Sequence, residues 1–146
     1  MKTSRRRARE VALQALYAWQ LAGGASGDVL EHVKSLEGFE RSDRTLAEAL
    51  VRGVLDRAPE LETLIAPFIA GRSFARLSPV ERAILYISAF ELLSQPETPF
   101  KVVINEAIEL GKSYGGTEGH RFVNGVLEKL AASLRPEEVA RARQTA

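Results

Sequence analysis

Cysteine is absent from the 146-residue chain, which excludes disulfides, Cys-ligated zinc, iron–sulfur clusters and thiol catalysis. Long apolar runs are also absent. Nothing approaches the roughly 18 uninterrupted apolar residues of a membrane span, and the charged start from Met1 to Arg9 lacks the apolar core of a signal peptide. A cytoplasmic protein is therefore expected. No alternating strand run flanked by hairpin residues occurs, so a sheet has no visible source. Histidine is limited to His32 and His120, neither in HExxH nor at another zinc-ligand spacing, so no metal site is expected. Nothing resembles a nucleophile elbow that would gather Ser, His and Asp. The chain is read as a non-enzyme without a cofactor.

What is present is a globular balance of 45% hydrophobic and 27% charged residues, in a chain long enough to bury about two-thirds of its unfolded surface. Apolar residues recur at spacings of three and four, predicting an all-α protein of seven helices. The first runs from Ser4 to Leu21 along Ala8, Val11, Ala12, Ala15, Leu16 and Trp19, and stops at the loop Gly23-Gly24-Ala25-Ser26-Gly27. A second is expected from an Asp28 cap to Glu37, a third from Ser42 to Arg57, and a fourth from Pro59, which Pro67 should kink or shorten. Residues 71–77 link two helical halves, about 1–71 and 77–135.

Ser78-Pro79-Val80-Glu81 combines a serine cap, a proline at the first helical position and a capping-box glutamate, so a fifth helix starts there. Its apolar residues surround the wheel through Leu93, marking it as central. A sixth helix ends at Tyr114, with Gly115-Gly116 as its cap, and a seventh follows a Thr117 cap to about Leu134. Residues 136–146 form a charged tail, either a frayed helix or disordered. A single domain of residues 1–135 is expected.

Two local patterns have bland explanations. Gly111-Lys112-Ser113 ends like a phosphate-binding loop, but Glu106 replaces the required glycine and the segment is helical. Gly111 then serves close helix packing. Glu106 and Glu109 share a face with no His at metal-site spacing, as on a solvated surface.

Charge is distributed unevenly behind a net charge of +1. Lys2, Arg5, Arg6, Arg7 and Arg9 all precede the first acid, Glu10, and the remainder carries 15 basic against 19 acidic residues. Such cations lie at the positive end of a helix dipole, where they are unfavourable without an anionic partner. Nucleic acid is favoured over a merely solvated terminus, with an anionic membrane surface as the other polyanion.

The blocks Arg5-Arg6-Arg7-Ala8-Arg9-Glu10, Ala12 to Tyr17, Val80 to Leu85, Lys101 to Leu110 and Phe122 to Leu127 resemble the NusB family. Residues 23–69 match only in helical pattern. The resemblance implies a seven-helix fold of two packed subdomains. It also implies binding of boxA RNA together with NusE, the ribosomal small-subunit protein that doubles as a transcription factor. The implied outcome is readthrough by the RNA polymerase antitermination complex during ribosomal RNA synthesis.

On this resemblance RNA contacts fall to Lys2, Arg5, Arg6, Arg7 and Arg9, and to Glu118, His120, Arg121 and Phe122, although Phe122 also has the spacing of a core residue. NusE contacts fall to Tyr17, Arg76 and Glu81. Leu13 and Tyr17 lie away from the Val11/Ala15 stripe, as an exposed apolar surface awaiting a partner would. A homodimer stays open, since some family members self-associate. The same domain occurs fused to RNA cytosine methyltransferases, but no glycine signature for a methyl donor occurs here. The alternatives are a non-catalytic helper of ribosomal RNA maturation and a membrane-surface module.

Overall fold

Capping chemistry sets the helix boundaries. The computed structural model describes residues 2–115 and 119–145, and among these it contains seven α-helices and no strand. They are α1 (Ser4–Ala22), α2 (Ser26–Ser35), α3 (Arg44–Ile65), α4 (Pro79–Ser94), α5 (Phe100–Tyr114), α6 (Gly119–Leu134) and α7 (Pro136–Thr145). Short 3-10 turns occupy Phe39–Arg41, Ala66–Phe68 and Phe74–Arg76. None of the helices is long and apolar enough to cross a membrane.

Residues up to Ala58 form one compact unit and those from Pro59 onward a second. In the first, α1 packs on α2 and on the Phe39–Arg41 turn. Thr3 caps α1, its hydroxyl accepting the Arg6 N–H at 3.0 Å. Gly23 ends α1 with φ of 73°, a conformation that suits glycine, and donates to the Trp19 carbonyl at 2.7 Å. α1 is buried on all sides from Ala8 to Leu13. Leu13 is only 2% exposed, which corrects its expected place on an open surface, while Tyr17 one turn later is 39% exposed.

Two boundaries differ from the sequence expectation. α2 begins at Ser26, because the N–H groups of Asp28 and Val29 already bond back to the Ala25 carbonyl. Asp28 therefore lies in the first turn, where its carboxylate complements the dipole, rather than at the cap. The expected third and fourth helices are one hydrogen-bonded run, α3, with non-helical backbone at Arg57 (φ −125°, ψ 17°). Pro59 has no N–H to offer the Leu55 carbonyl, and its ring crowds the preceding turn, so the run survives only with a kink. Pro67 sits in the 3-10 turn that closes it.

In the second unit α4 packs against α5 and α6, and α5 packs on α6. α4 is buried on all sides from Ala83 to Leu92, as its sequence predicts. Its capping box is complete: Glu81 N–H donates to Ser78 Oγ and Ser78 N–H to Glu81 Oε1, both at 3.1 Å. Gly111 lets α5 approach α6, since a Cβ there would lie 3.0 Å from the Cβ of His120 and 3.1 Å from its Cα.

Residues 136–145 are helical as α7, which packs on α6 and buries Val139. The segment is ordered by Arg135, only 9% exposed. Its Nε donates to the Leu92 carbonyl at 2.9 Å, Nη2 to those of Glu91 and Gln95 at 2.8 and 2.9 Å, and Nη1 to that of Thr98 at 2.6 Å. These carbonyls belong to the end of α4 and the turn after it, where a helix runs short of donors; those of Glu91 and Gln95 also accept the Gln95 and Thr98 N–H groups, both at 3.0 Å. Glu138 accepts from Arg135 Nη1 at 3.1 Å and from the Phe100 N–H, the first of α5, at 2.8 Å. Desolvation pushes the Glu138 carboxyl up, but the Phe100 N–H and the Arg135 guanidinium outweigh it and hold it below the usual carboxylate range.

Candidate nucleic-acid interface

The first turn of α1 contains no acid. Lys2 and Arg5 are exposed beside it, Arg6 and Arg7 half-buried. Two acids from elsewhere restrain the cluster. Lys2 Nζ lies 2.9 Å from Glu10 Oε2, and Arg5 Nη1 lies 3.6 Å from Asp43 Oδ2. Asp43 is fixed in turn, because Oδ1 accepts the Leu46 N–H at the start of α3 and its own N–H donates to the Ser4 carbonyl. The arm is thus anchored while its positive charge stays at the surface.

Arg9 does not belong to this surface. It is 3% exposed and engaged within the protein, because it lies one turn before Leu13 and two before Leu16 on the buried side of α1. Its expected role as a phosphate contact is corrected on that ground.

Glu118 lies outside the described residues, as do the Gly116 and Thr117 caps. Of the other expected contacts near the start of α6, Arg121 is exposed and His120 and Phe122 are half-buried. His120 Nδ1 is buried and has no hydrogen-bond partner among the described residues. Val123, Val126, Leu127 and Leu130 form the core face, and Phe122 lies at its edge. The guanidinium carbon of Arg72 sits 4.6 Å from the Phe122 ring centroid, a cation–π arrangement.

Among the expected partner contacts, Arg76 is exposed at the end of the Phe74–Arg76 turn, and Glu81 is bound into the α4 capping box. Arg72 Nη2 also lies 3.9 Å from Glu81 Oε1, so one arginine touches both Phe122 and Glu81. Nearby, the Tyr86 hydroxyl donates to Glu62 Oε2 at 2.7 Å, and burial first, then that bond, pushes its pKa up. Tyr17 lies in the amino-terminal unit, followed one helical turn later by Leu21, which is 63% exposed.

Sequence reasoning missed Arg72, Arg135 and Glu138. Arg72 sits beside Gly71 in what reads as a linker, and only the folded backbone brings it to Phe122. Glu138 does carry a signal, an acid soon after Pro136 of the kind that opens a helix.

Among the described residues no group of three metal-ligating side chains occurs. The first unit supplies fixed cations, and the second, separately, an aromatic face topped by a guanidinium. These are the elements with which proteins hold phosphates and unstacked bases.

The profile of the NusB family matches residues 6–132. The transcription antitermination protein NusB of Aromatoleum aromaticum (strain DSM 19018 / LMG 30748 / EbN1) is 53% identical over 142 residues, 97% of each chain. That of Bordetella pertussis (strain Tohama I) is 50% identical over 142 residues, covering 94% of this chain and 92% of its own. T. maritima NusB superposes with a TM-score of 0.82 at 32% identity, over 97% of this chain and 99% of that one. A complex of antitermination factors NusB and NusE with double-stranded RNA superposes with a TM-score of 0.76 at 27% identity, over 91% and 99%. With its helices, its basic first turn and these relatives in agreement, the chain belongs to the NusB family.

Proposed function

We propose that this protein is a transcription antitermination factor that binds boxA RNA of ribosomal RNA operons together with NusE and promotes readthrough by RNA polymerase. It acts by binding rather than by catalysis, and residues 1–135 serve as a single RNA-binding domain. The observation that carries the reading is the acid-free first turn of α1, with Lys2, Arg5, Arg6 and Arg7 held at the surface. Four cations at the positive end of a helix repel one another and the dipole, and a polyanion relieves both. A relative of similar fold is found with NusE and RNA, which supports the same pairing here.

The second RNA contact is assigned to His120, Arg121 and Phe122, with Glu118 assigned to it from the sequence alone. Tyr17, Arg76 and Glu81 receive NusE. A titration of single-stranded boxA RNA, with and without NusE, tests the reading: binding should weaken steeply with salt and tighten with NusE. Unchanged affinity between low and high salt would remove the phosphate-binding role. Glu81→Lys should impair NusE association more than RNA binding by the isolated protein, with about 0.5–2 kcal/mol of stability lost through the cap. Normal NusE binding by that variant would move the interface elsewhere.

A further inference from the structure

Arg72 is delivered to its place by a tight turn. Its N–H donates to the Ile69 carbonyl at 3.1 Å, and the two residues between, Ala70 and Gly71, are both left-handed, with φ of 53° and 78°. Consecutive left-handed residues reverse the chain at once, and Gly71 adopts that conformation without a steric penalty. The guanidinium is thereby brought over the Phe122 ring and within 3.9 Å of Glu81. Glu81 Oε1 also accepts the Ser78 N–H at 3.1 Å, so the capping box fixes the carboxylate, whereas the Arg72 side chain is about half exposed (47%). A planar, permanently charged group can lie on a ring and meet a carboxylate at once, as a compact ammonium cannot.

We propose that Arg72 couples RNA binding at Phe122 to NusE binding at Glu81 by an exchange of charge partners. The inference rests on the binding roles proposed above for those two residues. In the free protein the guanidinium and the carboxylate partly neutralise each other. An RNA phosphate arriving beside Phe122 engages Arg72 and loosens its tie to Glu81, which leaves the carboxylate more attractive to a basic group of the partner. A partner cation on Glu81 likewise removes the anion that competes with phosphate for Arg72. Each event favours the other, and linkage requires the two enhancements to be equal. A half-exposed ion pair sets the size of the effect at about two- to five-fold.

The test is a titration of single-stranded boxA RNA into the full chain, with and without saturating NusE, for wild type, Arg72→Gln, Glu81→Gln and the double variant. Thermal melts confirm that each is folded. NusE should tighten RNA binding by the wild type, and Arg72→Gln should shrink that gain by about two- to five-fold. Glu81→Gln, which keeps the capping geometry, should shrink it by a similar factor, and the double variant by no more than either alone. A full wild-type gain in Arg72→Gln overturns the coupling, as does a wild type that binds both ligands without any gain. A wild type that binds no RNA overturns instead the RNA-binding reading on which the coupling stands.

Discussion

The start of α1 and the end of α4 both collect arginine chemistry, with opposite physical logic. At α1 the cations crowd the positive end of a helix, in its first turn, with Glu10 and Asp43 reaching two of them from outside it. At α4 a single cation, Arg135, meets the negative end of a helix and satisfies four main-chain carbonyls at once. The first arrangement is uncomfortable until an anion arrives, and the second is complete as it stands. An arginine belongs to the stability of this protein where carbonyls surround it, and we assign it to binding where other cations do.

Removing Arg135 should have the largest effect and is the sharpest way to break this contrast. Arg135→Ala removes the guanidinium from four carbonyls and from Glu138, of which Glu91, Gln95 and Glu138 keep a main-chain N–H donor, and should cost about 3–5 kcal/mol in urea denaturation. RNA affinity under native conditions should stay at the wild-type value. A stable Arg135→Ala protein with weakened RNA binding would reverse the assignment of the two regions.

Arg6→Ala combined with Arg7→Ala should do the opposite, lowering RNA affinity by about 10–30-fold at moderate salt while the melting temperature hardly moves. With Arg9 buried, four surface cations remain, so the log-log salt slope for single-stranded RNA should be about −3 and flatten by about 1.4 in the double variant. A salt slope equal to wild type would show that neither side chain meets a phosphate.

A smaller effect sharpens the α4 side. The folded carboxyl of Glu138 lies below its ordinary value of 4.5, so its contribution to stability is fully present above about that pH and is lost as pH falls through the folded value. Glu138→Gln should therefore be less stable than wild type by about 1 kcal/mol at neutral pH, and the gap should close in acid. A gap that does not change with pH would assign the effect to packing instead of charge.

The smallest effect separates packing from propensity inside the α5–α6 pair. Gly125→Ala, where nothing lies within 4 Å, should gain about 0.5–1 kcal/mol from helix propensity alone. Gly111→Ala has the same propensity to gain but meets His120 at 3.0 Å, and should show no net gain or a slight loss. Equal stabilisation by both would mean that the helices separate without resistance.

Local rules were legible wherever a few neighbouring residues decide the outcome. Ser78 through Glu81 announced the start of α4, and the glycines from Gly23 the end of α1. The surface charge of Lys2, Arg5, Arg6 and Arg7 was visible from the absence of acids among them. Arg9 was not separable from that run, because its fate depends on which face of α1 is covered, and α1 is covered all round from Ala8 to Leu13. The count of seven helices was met by a different division: two expected helices form α3, and the segment after Pro136 supplies α7.

By itself, then, the sequence determined an all-helical chain, the main boundaries of its helices and the cluster of positive charge at its start, because capping, periodicity and charge act over a few residues. The tertiary structure alone decided that Arg9 is buried, that Arg72 meets Phe122 and Glu81, and that Arg135 closes the end of α4. Those contacts join residues 37 to 50 positions apart for Arg72–Phe122 and Arg135 with Glu91, Leu92, Gln95 and Thr98. No local preference encodes such meetings; they exist only once packed helices bring the ends of distant segments together.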